Sequence, residues 1–349
     1  MPPMDSTPTD PAGEETLQRL WARGCDFLGT PTAILGGAMS WVSERNLVSA
    51  ISNAGGFGII ACGSMDPDML CTEIAATAAL TDKPFGVNLI TMHPDLDALI
   101  DVCLAKTVGH VVLAGGLPRT TQIARIKAGG AKVLCFAPTL TFAHKLMRSG
   151  ADALIIEGME AGGHIGPVST SVLAQEILPE IDDVPVFVAG GIGHGEAVAA
   201  YLEMGASGCQ LGTRFVCAEE SIAHPDFKKR LLRAQARDAQ VSSQLDPRFP
   251  VVPVRALANA ASDRFLDVQR TVIAKVEAGE LDQKAAQLEI EHFWVGALRR
   301  AIIDGDVDNG SVMVGQSVGM VRSEQPLAKV IAELVAQAAR ALARRNPAT

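Results

Sequence analysis

The sequence predicts an α/β fold, a (β/α)8 barrel with a helical insertion after its eighth strand. Short apolar runs, most of which end in glycine, alternate with longer segments whose apolar residues have helical spacing. Continuous apolar strands that alternate with helices indicate parallel strands buried on both faces. Eight such runs favour a closed barrel over an open sheet, and they are Thr32–Met39, Gly58–Gly63, Phe85–Ile90, His110–Gly115, Lys132–Ala137, Ala153–Gly158, Val184–Gly191 and Gly208–Phe215.

The barrel is expected to occupy residues 14–218. Residues 1–13, which are rich in Pro and Thr, are predicted to form a disordered tail. A short helix at Glu14–Arg23 precedes the first strand. Helical spacing then recurs between the strands, as in Asp66–Leu80 and Gly195–Met204.

The chain changes character after the eighth run. Residues 219–305 are predicted to form a helical lid, with a charged helix at Glu219–Ala236, an irregular Pro-rich stretch at Ser242–Val254 and two further helices. The apolar stripes of those two helices need a partner for burial, so we expect the lid to pack beside the barrel mouth. Residues 306–345 are predicted to return to the barrel as a loop and a last amphipathic helix, Leu327–Leu342.

Composition excludes several classes of function. With 349 residues, of which 48% are hydrophobic, the chain is predicted to be globular. A net charge of −9 and an aromatic content of 4% argue against nucleic-acid binding. No apolar run is long enough to span a membrane, and the first residues lack the features of a secretory signal. Seven single cysteines without a CxxC pair predict reduced thiols in a cytoplasmic protein and no metal site.

Glycines near the ends of the seventh and eighth runs predict a phosphate site. Gly190 and Gly191 close the seventh run, and Gly212 with Thr213 lies in the eighth. Barrels bind phosphate after these two strands, where glycine lets backbone N–H groups approach closely. The alternative interpretation is a pair of tight turns without a ligand. A dinucleotide-binding fold is excluded, because the glycine spacing does not match GxGxxG and no acidic residue follows at the required distance.

A histidine flanked by glycines follows the sixth run, in the loop that contains Gly163 and His164. Imidazole changes its charge near neutral pH and suits proton transfer, whereas the structural alternative is a histidine that binds only its own loop. A position at the mouth of a phosphate-binding barrel favours catalysis. Asn88, in an apolar run, and Gln316, in a Gly-rich loop, each bind either a ligand or the local backbone.

Five segments together resemble the nitronate monooxygenase (2-nitropropane dioxygenase) family, which also contains flavin-type enoyl-ACP reductases and NADH:quinone reductases. The segments are GGAMSWVSERNLVSAISNAGGFGII, KPFGVN, EGMEAGGHIG, VAGGIG and LGTRF, and the likeness runs from about Gly36 to Leu342. The resemblance implies a barrel that holds non-covalent FMN, with His164 as the catalytic histidine. It also implies a set of FMN-binding residues: Ala38, Met39, Asn88, Glu157, Gly163, Gly190, Gly191, Gly212, Thr213 and Gln316.

The resemblance favours, by a narrow margin, the oxidation of alkyl nitronates or nitroalkanes with O2. His164 would then remove the α-proton of the neutral nitroalkane, and Met39, Trp41 and Met159 would exclude water. A small-molecule substrate is expected, and a homodimer is compatible with the sequence. An acyl carrier protein is expected as a partner only under the alternative interpretation described next.

The alternative is an NAD(P)H-dependent enoyl-ACP reductase or a quinone reductase, in which His164 supplies a proton. The segments GDVDNGSVMVGQ and EESIAHPDFKKRLLRA resemble that branch at least as closely. An acidic carrier protein would need a local basic patch, for which the candidates are Lys228, Lys229, Arg230, Arg233 and Arg237. A flavin-binding protein without catalytic activity is the third hypothesis.

Overall fold

The computed structural model describes residues 11–246 and 252–345. Its centre is a ring of eight parallel strands in which each strand pairs with its sequence neighbours and β8 returns to β1. A hydrogen bond from Gly36 N to Phe57 O (2.9 Å) ties β1 to the start of β2 and closes the ring. The predicted barrel is therefore confirmed, with strands β1 (Ile34–Gly36), β2 (Gly58–Ala61), β3 (Phe85–Ile90), β4 (His110–Ala114), β5 (Lys132–Phe136), β6 (Ala153–Glu157), β7 (Val186–Ala189) and β8 (Gly208–Leu211).

Helices connect the strands on the outside of the ring, and several begin at a side chain that satisfies free N–H groups of the first turn. Asp66 accepts from Met69 N (2.8 Å) before the third helix, for example. The first helix begins at Pro11, so the predicted start at Glu14 is wrong by three residues, and residues 1–10 of the predicted tail lie outside the described residues. The helices of this part are α1 (Pro11–Leu28), α2 (Arg45–Asn53), α3 (Pro67–Leu80), α4 (Leu96–Ala105), α5 (Thr120–Ala128), α6 (Leu140–Arg148), α7 (Thr170–Ile177) and α8 (Gly195–Glu203).

Strand side chains alternate between two apolar cores, because successive residues of a strand point to opposite faces. One core lies between strands and helices and includes Val87 and Leu89 of β3. The other fills the inside of the ring, and its strand members are Leu35, Ile59, Val112, Leu134, Ala153, Ile155, Phe187 and Ala189. The barrel is thus a packed core that leaves its C-terminal end for a site.

The chain after β8 differs from the prediction in two places. Strand β8 ends at Leu211, and the residues that follow form a short helix, α9 (Thr213–Val216), where a continuous strand was expected. The predicted charged helix at Glu219–Ala236 is shorter, since α10 begins at Pro225, whose ring suits a first helical position, and ends at Leu232.

A small second sheet forms on both sides of the irregular stretch predicted at Ser242–Val254, of which residues 242–246 and 252–253 form neither helix nor strand. Its strands are Gly163–His164, Ala239–Val241, Val254–Leu257 and Val312–Met313, with the third of these in the centre. This sheet connects the loop after β6 with the segment before the C-terminal helix. The rest of the predicted irregular stretch includes residues 247–251, which lie outside the described residues.

Two long helices form a helical pair with its own apolar core. They are α11 (Ala260–Glu277) and α12 (Gln283–Ile302). Their shared core includes Phe265, whose ring lies 4.2 Å from that of Trp294 between centroids. The C-terminal end of α12 belongs instead to the outer barrel core through Ala301 and Ile302.

The last helix, α13 (Leu327–Arg345), packs against α1 and α8 on the outside of the barrel. Arg344 pairs with Glu196 and Arg345 with Glu203, so both arginines tie α13 to α8. In the described part of the chain, no helix combines the length and the apolar character needed to cross a bilayer.

Candidate active site

Three polar residues face the inside of the barrel near the C-terminal ends of the strands. Asn88 lies between two outer-core residues of β3, and Gln210 lies between the outer-core residues Cys209 and Leu211 of β8. Glu157 follows the outer-core residue Ile156 on β6 and pairs in register with Ala189 of the inner core. Alternation therefore directs all three side chains inward, where the other strand residues are apolar.

The amide of Asn88 has an unsatisfied oxygen. The residue is 5% exposed, and its Oδ1 atom is buried without a hydrogen-bond partner in residues 11–246 and 252–345. Burial of an unpaired amide oxygen is costly, so native proteins seldom keep one without a reason. Gln210 is also buried at this level, with 6% of its surface exposed. The unpaired oxygen of Asn88, with a second buried amide nearby, indicates a bound group at this level of the barrel.

Glu157 is half-buried, and burial raises the pKa of its carboxyl group to about 8. Desolvation by the surrounding protein is the cause of this shift, because burial disfavours the charged form. The carboxyl group is therefore largely protonated at neutral pH and can donate a hydrogen bond or a proton.

The glycines after β7 have backbone conformations that other residues rarely adopt. Gly190 has φ +98° and Gly191 has φ +71°. A Cβ at Gly191 would lie 2.9 Å from Glu160 Cβ, and a Cβ at Gly190 would lie 2.9 Å from the Thr170 hydroxyl oxygen. The loop thus needs glycine for its own conformation and packing, independently of any phosphate.

The loops after β1 and β8 lie against each other. Gly37 N donates to Leu211 O (2.8 Å), and a Cβ at Gly212 would lie 3.3 Å from Met39 Sδ. Ala38 packs on the inner core of the barrel. Together with Thr213 at the start of α9, these residues frame one side of the barrel mouth.

The segment before α13 joins the loops after β6 and β8. The hydroxyl of Thr213 accepts from Gly315 N (2.9 Å), and Gln316 N donates to Glu160 O (2.9 Å). The carboxylate of Glu160 in turn accepts from the backbone and the hydroxyl of Thr170, both at 2.9 Å, at the start of α7. Four loops, those after β1, β6, β7 and β8, are thereby held in one contiguous rim.

His164 lies in the small second sheet. Its partner in register is Val254, and Gly163, with φ +77°, is paired with Arg255. The imidazole is exposed, whereas Arg255 is buried and its guanidinium donates to Met159 O (2.9 Å). His164 is thus exposed and is held in place by a strand pairing that the sequence did not predict.

The structure brings most of the predicted residues to one end of the barrel. Asn88 and Glu157 are directed inward there, and Gln316, Thr213 and the glycines lie in the rim. Gln210 was missed, although an alternating pattern of apolar neighbours around one polar residue in GCQL could have revealed it. Buried Lys228 donates to Glu324 (2.6 Å), so its assignment to an exposed basic patch is wrong.

Comparisons with known proteins agree with this architecture. A family model described as nitronate monooxygenase matches residues 23–99 and 95–337. FabK from Thermotoga maritima is 36% identical, with a TM-score of 0.82 over 93% of this chain and 97% of that chain. A nitronate monooxygenase of Paraburkholderia phytofirmans is 27% identical over 93% of this chain and 95% of its own length.

A further relative is (3aS,4S,5R,7aS)-5-hydroxy-7a-methyl-1-oxo-octahydro-1H-indene-4-carboxyl-CoA dehydrogenase. The Mycobacterium tuberculosis protein of this name is 30% identical over 89% of this chain and 93% of its own length. The Rhodococcus jostii protein is 37% identical over 63% of this chain and 62% of its own length. The family model covers nearly all of the described barrel and the segments that follow it, and the chain therefore belongs to the nitronate monooxygenase family of oxidoreductases.

Proposed function

We propose that this protein is an FMN-dependent oxidoreductase that uses NAD(P)H to reduce the α,β-double bond of an acyl thioester. One observation carries the cofactor part of this proposal. Among the described residues, Asn88 Oδ1 has no hydrogen-bond partner although it is buried inside the barrel, at the end where barrel enzymes bind ligands. A cofactor with hydrogen-bond donors on a planar edge would supply that partner.

The surrounding residues fit FMN. The backbone at Gly190, Gly191, Gly212 and Thr213 would hold the phosphate, since glycine lets N–H groups approach an anion. The amides of Asn88 and Gln210 would bind polar atoms of the ring system, and Ala38 and Met39 would lie beside it. Glu157, Gly163 and Gln316 complete the proposed set. When bound, FMN would carry hydride between the nicotinamide and the thioester.

His164 is the proposed acid of the reaction. As hydride is added at the β-carbon of the double bond, an imidazole nitrogen of His164 would give a proton to the α-carbon, which balances the reduction. Glu157, protonated at neutral pH because burial raises its pKa, would hold its proton toward the interior of the barrel. His164 would thus lie at the rim of the barrel mouth, and Glu157 would lie inside the barrel below it.

Three relatives favour a thioester as substrate. FabK and the two dehydrogenases are 30–37% identical, against 27% for the nitronate monooxygenase. The name of the two dehydrogenases specifies a CoA thioester, and FabK is an enoyl-ACP reductase. This proposal reverses the narrow preference for a nitronate that the sequence alone supported.

An exposed basic patch, defined as Lys229, Arg230, Arg233 and Arg237, supports a negatively charged substrate carrier. Two exposed carboxylates, Asp226 and Asp238, lie within the same stretch and reduce its net charge to +2. The patch adjoins the rim, because a Cβ at Gly319, in the turn that begins at Gln316, would lie 2.9 Å from Ala236 N. CoA phosphates or an acidic carrier protein would complement this charge.

The helical pair is proposed to act as a lid. Most of the pair has a core that includes Val254 of the small second sheet and is separate from that of the barrel, whereas the C-terminal end of α12 is anchored in the outer core. Such an arrangement favours movement of the pair about its anchored end. Hydrogen exchange in α11 should be faster than in the barrel strands and should slow when substrate binds.

Nitronate oxidation with O2 is the second candidate, because the family model and a relative of nearly equal length bear that name. Anaerobic stopped-flow measurement of flavin absorbance distinguishes the two. We expect NADH or NADPH to bleach the flavin and crotonyl-CoA to restore the oxidised spectrum. Bleaching by ethyl nitronate, with no response to either nicotinamide, would replace thioester reduction with nitronate oxidation.

A further inference from the structure

Trp41 occupies a strained position in the loop after β1. Its φ is +66°, a left-handed conformation that is rare for a bulky residue. A compact turn holds it there, because Val42 N and Ser43 N both donate to Met39 O, at 3.0 and 2.8 Å. The hydroxyl of Ser43 fixes the turn further by donating to Gly37 O (2.7 Å) and accepting from Met39 N (3.0 Å).

The indole of Trp41 carries an unpaired donor. Its Nε1 atom is buried and has no hydrogen-bond partner within the described residues. Strained conformations persist where the surroundings over-determine them, and they cluster at ligand sites. A strained residue with an unpaired buried donor, two residues from Met39 at the rim, therefore meets two independent criteria for contact with a ligand.

Arg299 of α12 covers the indole. Its guanidinium carbon lies 5.9 Å from the centroid of the Trp41 ring, within the range of a cation–π contact. The same guanidinium pairs with Asp304 (3.1 Å), and its side chain is 50% exposed. Arg299 can thus swing toward solvent without breaking a buried contact, which would uncover the indole at the end of α12 that is anchored to the barrel.

We propose that the Trp41 indole N–H donates a hydrogen bond to the substrate oxygen beside the reacting carbon. This inference rests on the proposed function, and the acceptor is a thioester carbonyl or, under the second candidate, a nitronate oxygen. Both are strong acceptors two bonds from the carbon at which proton transfer occurs. A donor shielded from water does not exchange its partner for solvent, so the bond would fix the orientation of the substrate.

Replacement of Trp41 by Phe removes the donor and keeps an aromatic ring. We expect Trp41→Phe to raise the KM for crotonyl-CoA by about 5- to 20-fold, the effect of one lost buried hydrogen bond, with flavin content unchanged. Trp294→Phe is the matched control, because Trp294 Nε1 is also buried and unpaired but lies in the core of the helical pair. An unchanged KM in Trp41→Phe, or an equal rise in both variants, would overturn the proposal.

The wild-type protein gives a direct readout that does not depend on a variant's activity. It contains three tryptophans, so a 15N-labelled sample gives three indole N–H signals, assigned with Trp294→Phe and Trp21→Phe. We expect the Trp41 signal to move downfield when crotonyl-CoA binds the oxidised holoenzyme. A shift with ethyl nitronate alone would identify the nitronate oxygen as acceptor.

The outcomes separate this proposal from the proposed function. Turnover of crotonyl-CoA without movement of the Trp41 signal overturns the assignment of Trp41 and leaves the function intact. Absence of both turnover and binding with either compound rejects the proposed function, and the Trp41 assignment with it. Movement of the signal together with the KM effect supports both.

Discussion

The two ends of the barrel differ in whether their buried polar groups have hydrogen-bond partners. At the N-terminal end, Phe27 O accepts hydrogen bonds from His110 Nε2 (2.9 Å) and from Lys132 Nζ. The His110 ring also contacts two aromatic rings edge-on, those of Phe27 and Phe57, at centroid distances of 5.4 and 4.9 Å. At the C-terminal end, Asn88 Oδ1 and Trp41 Nε1 have no partner in the described part of the chain although both are buried.

In this barrel, buried polar atoms without hydrogen-bond partners are therefore a better guide to the functional site than the position of a cavity. A cavity of about 490 Å3 opens at the N-terminal end, lined in part by Phe27, Lys106, His110 and Lys132. The buried polar group of that end, His110, is already satisfied by the protein, which is typical of a stabilising contact. Asn88 Oδ1 and Trp41 Nε1, which have no partner among the described residues, lie at the opposite end, where barrel enzymes place their ligands.

The largest expected effect concerns His164. His164→Ala should reduce turnover that needs proton transfer by about 10²- to 10⁴-fold, the usual contribution of a positioned acid or base, and should keep the flavin. Steady-state kinetics with crotonyl-CoA measure this, with His144→Ala on α6 as the control. Oxidation of a preformed nitronate, from which the acidic α-proton has already been removed, should change much less.

If His164→Ala retains full activity, His164 has only a structural role in the small second sheet. In that case, Glu157 would be the remaining candidate for the proton donor, and Glu157→Gln should show the kinetic loss instead.

Substitutions at the two ends of the barrel should change the free energy of unfolding of the flavin-free protein differently. His110→Leu removes a satisfied hydrogen bond and should lower the free energy of unfolding by about 1–3 kcal/mol. Asn88→Leu removes a buried oxygen without a partner and should leave that free energy unchanged or raise it. Urea unfolding of both variants measures the contrast. Destabilisation of Asn88→Leu equal to that of His110→Leu would show that Asn88 is a structural residue.

The pH dependence of stability should have opposite signs at the two ends. Burial raises the pKa of Glu157 to about 8, so the folded state keeps a proton that the unfolded state loses above about pH 4.5. Stability from Glu157 is thus present at low pH and is lost as pH rises toward 8. Glu157→Gln should gain stability over the wild type across this window, at most about 1.4 kcal/mol per pH unit.

His110 should behave in the reverse way. Burial lowers its pKa from 6.5 to about 4, so its contribution is complete above pH 6.5 and is lost as pH falls toward 4. Urea titrations of the flavin-free protein between pH 4 and 8 measure both slopes. A Glu157→Gln profile parallel to that of the wild type between pH 5 and 8 would contradict the assignment of a protonated Glu157.

The smallest expected effect concerns the basic patch. Arg233→Glu with Arg237→Glu should raise the KM for crotonyl-CoA by about 3- to 10-fold at low salt, and the difference should shrink at high salt because exposed charges are screened. Arg264→Glu on α11 is the control. A salt-independent change would indicate damage to the adjoining turn at Gly319 and not a loss of charge recognition.

The sequence predicted the barrel well because strand and helix periods are local signals. The eight apolar runs each contain an observed strand. The predicted boundaries are wrong where a glycine follows a strand, as at Gly212: the residues after it form helix α9, whereas the sequence predicted a continuous strand. The small second sheet was not predicted, since strands of two residues such as Gly163–His164 have no period to detect. The prediction placed Lys228 on the surface, whereas it is buried and contacts Glu324, a partner 96 residues away in the chain that no local pattern reveals.

The site was predictable to the extent that its residues lie at strand ends. Asn88 and Glu157 were found by position and resemblance, whereas the burial of Asn88 Oδ1 without a partner requires the packed barrel. The glycines after β7 were attributed to a phosphate, but Gly190 and Gly191 also avoid Thr170 and Glu160, contacts that no sequence pattern reveals.

Reconstitution of the flavin-free protein with FMN tests the central claim most directly, because it measures whether the unsatisfied end of the barrel binds a cofactor. Quenching of FMN fluorescence gives the Kd for the wild type, for Asn88→Leu and for His110→Leu. We predict one FMN per chain, tighter than FAD, with binding weakened by about 10- to 100-fold in Asn88→Leu and unchanged in His110→Leu. Absence of FMN binding to the wild type, or equal Kd values for the wild type and Asn88→Leu, would contradict the account.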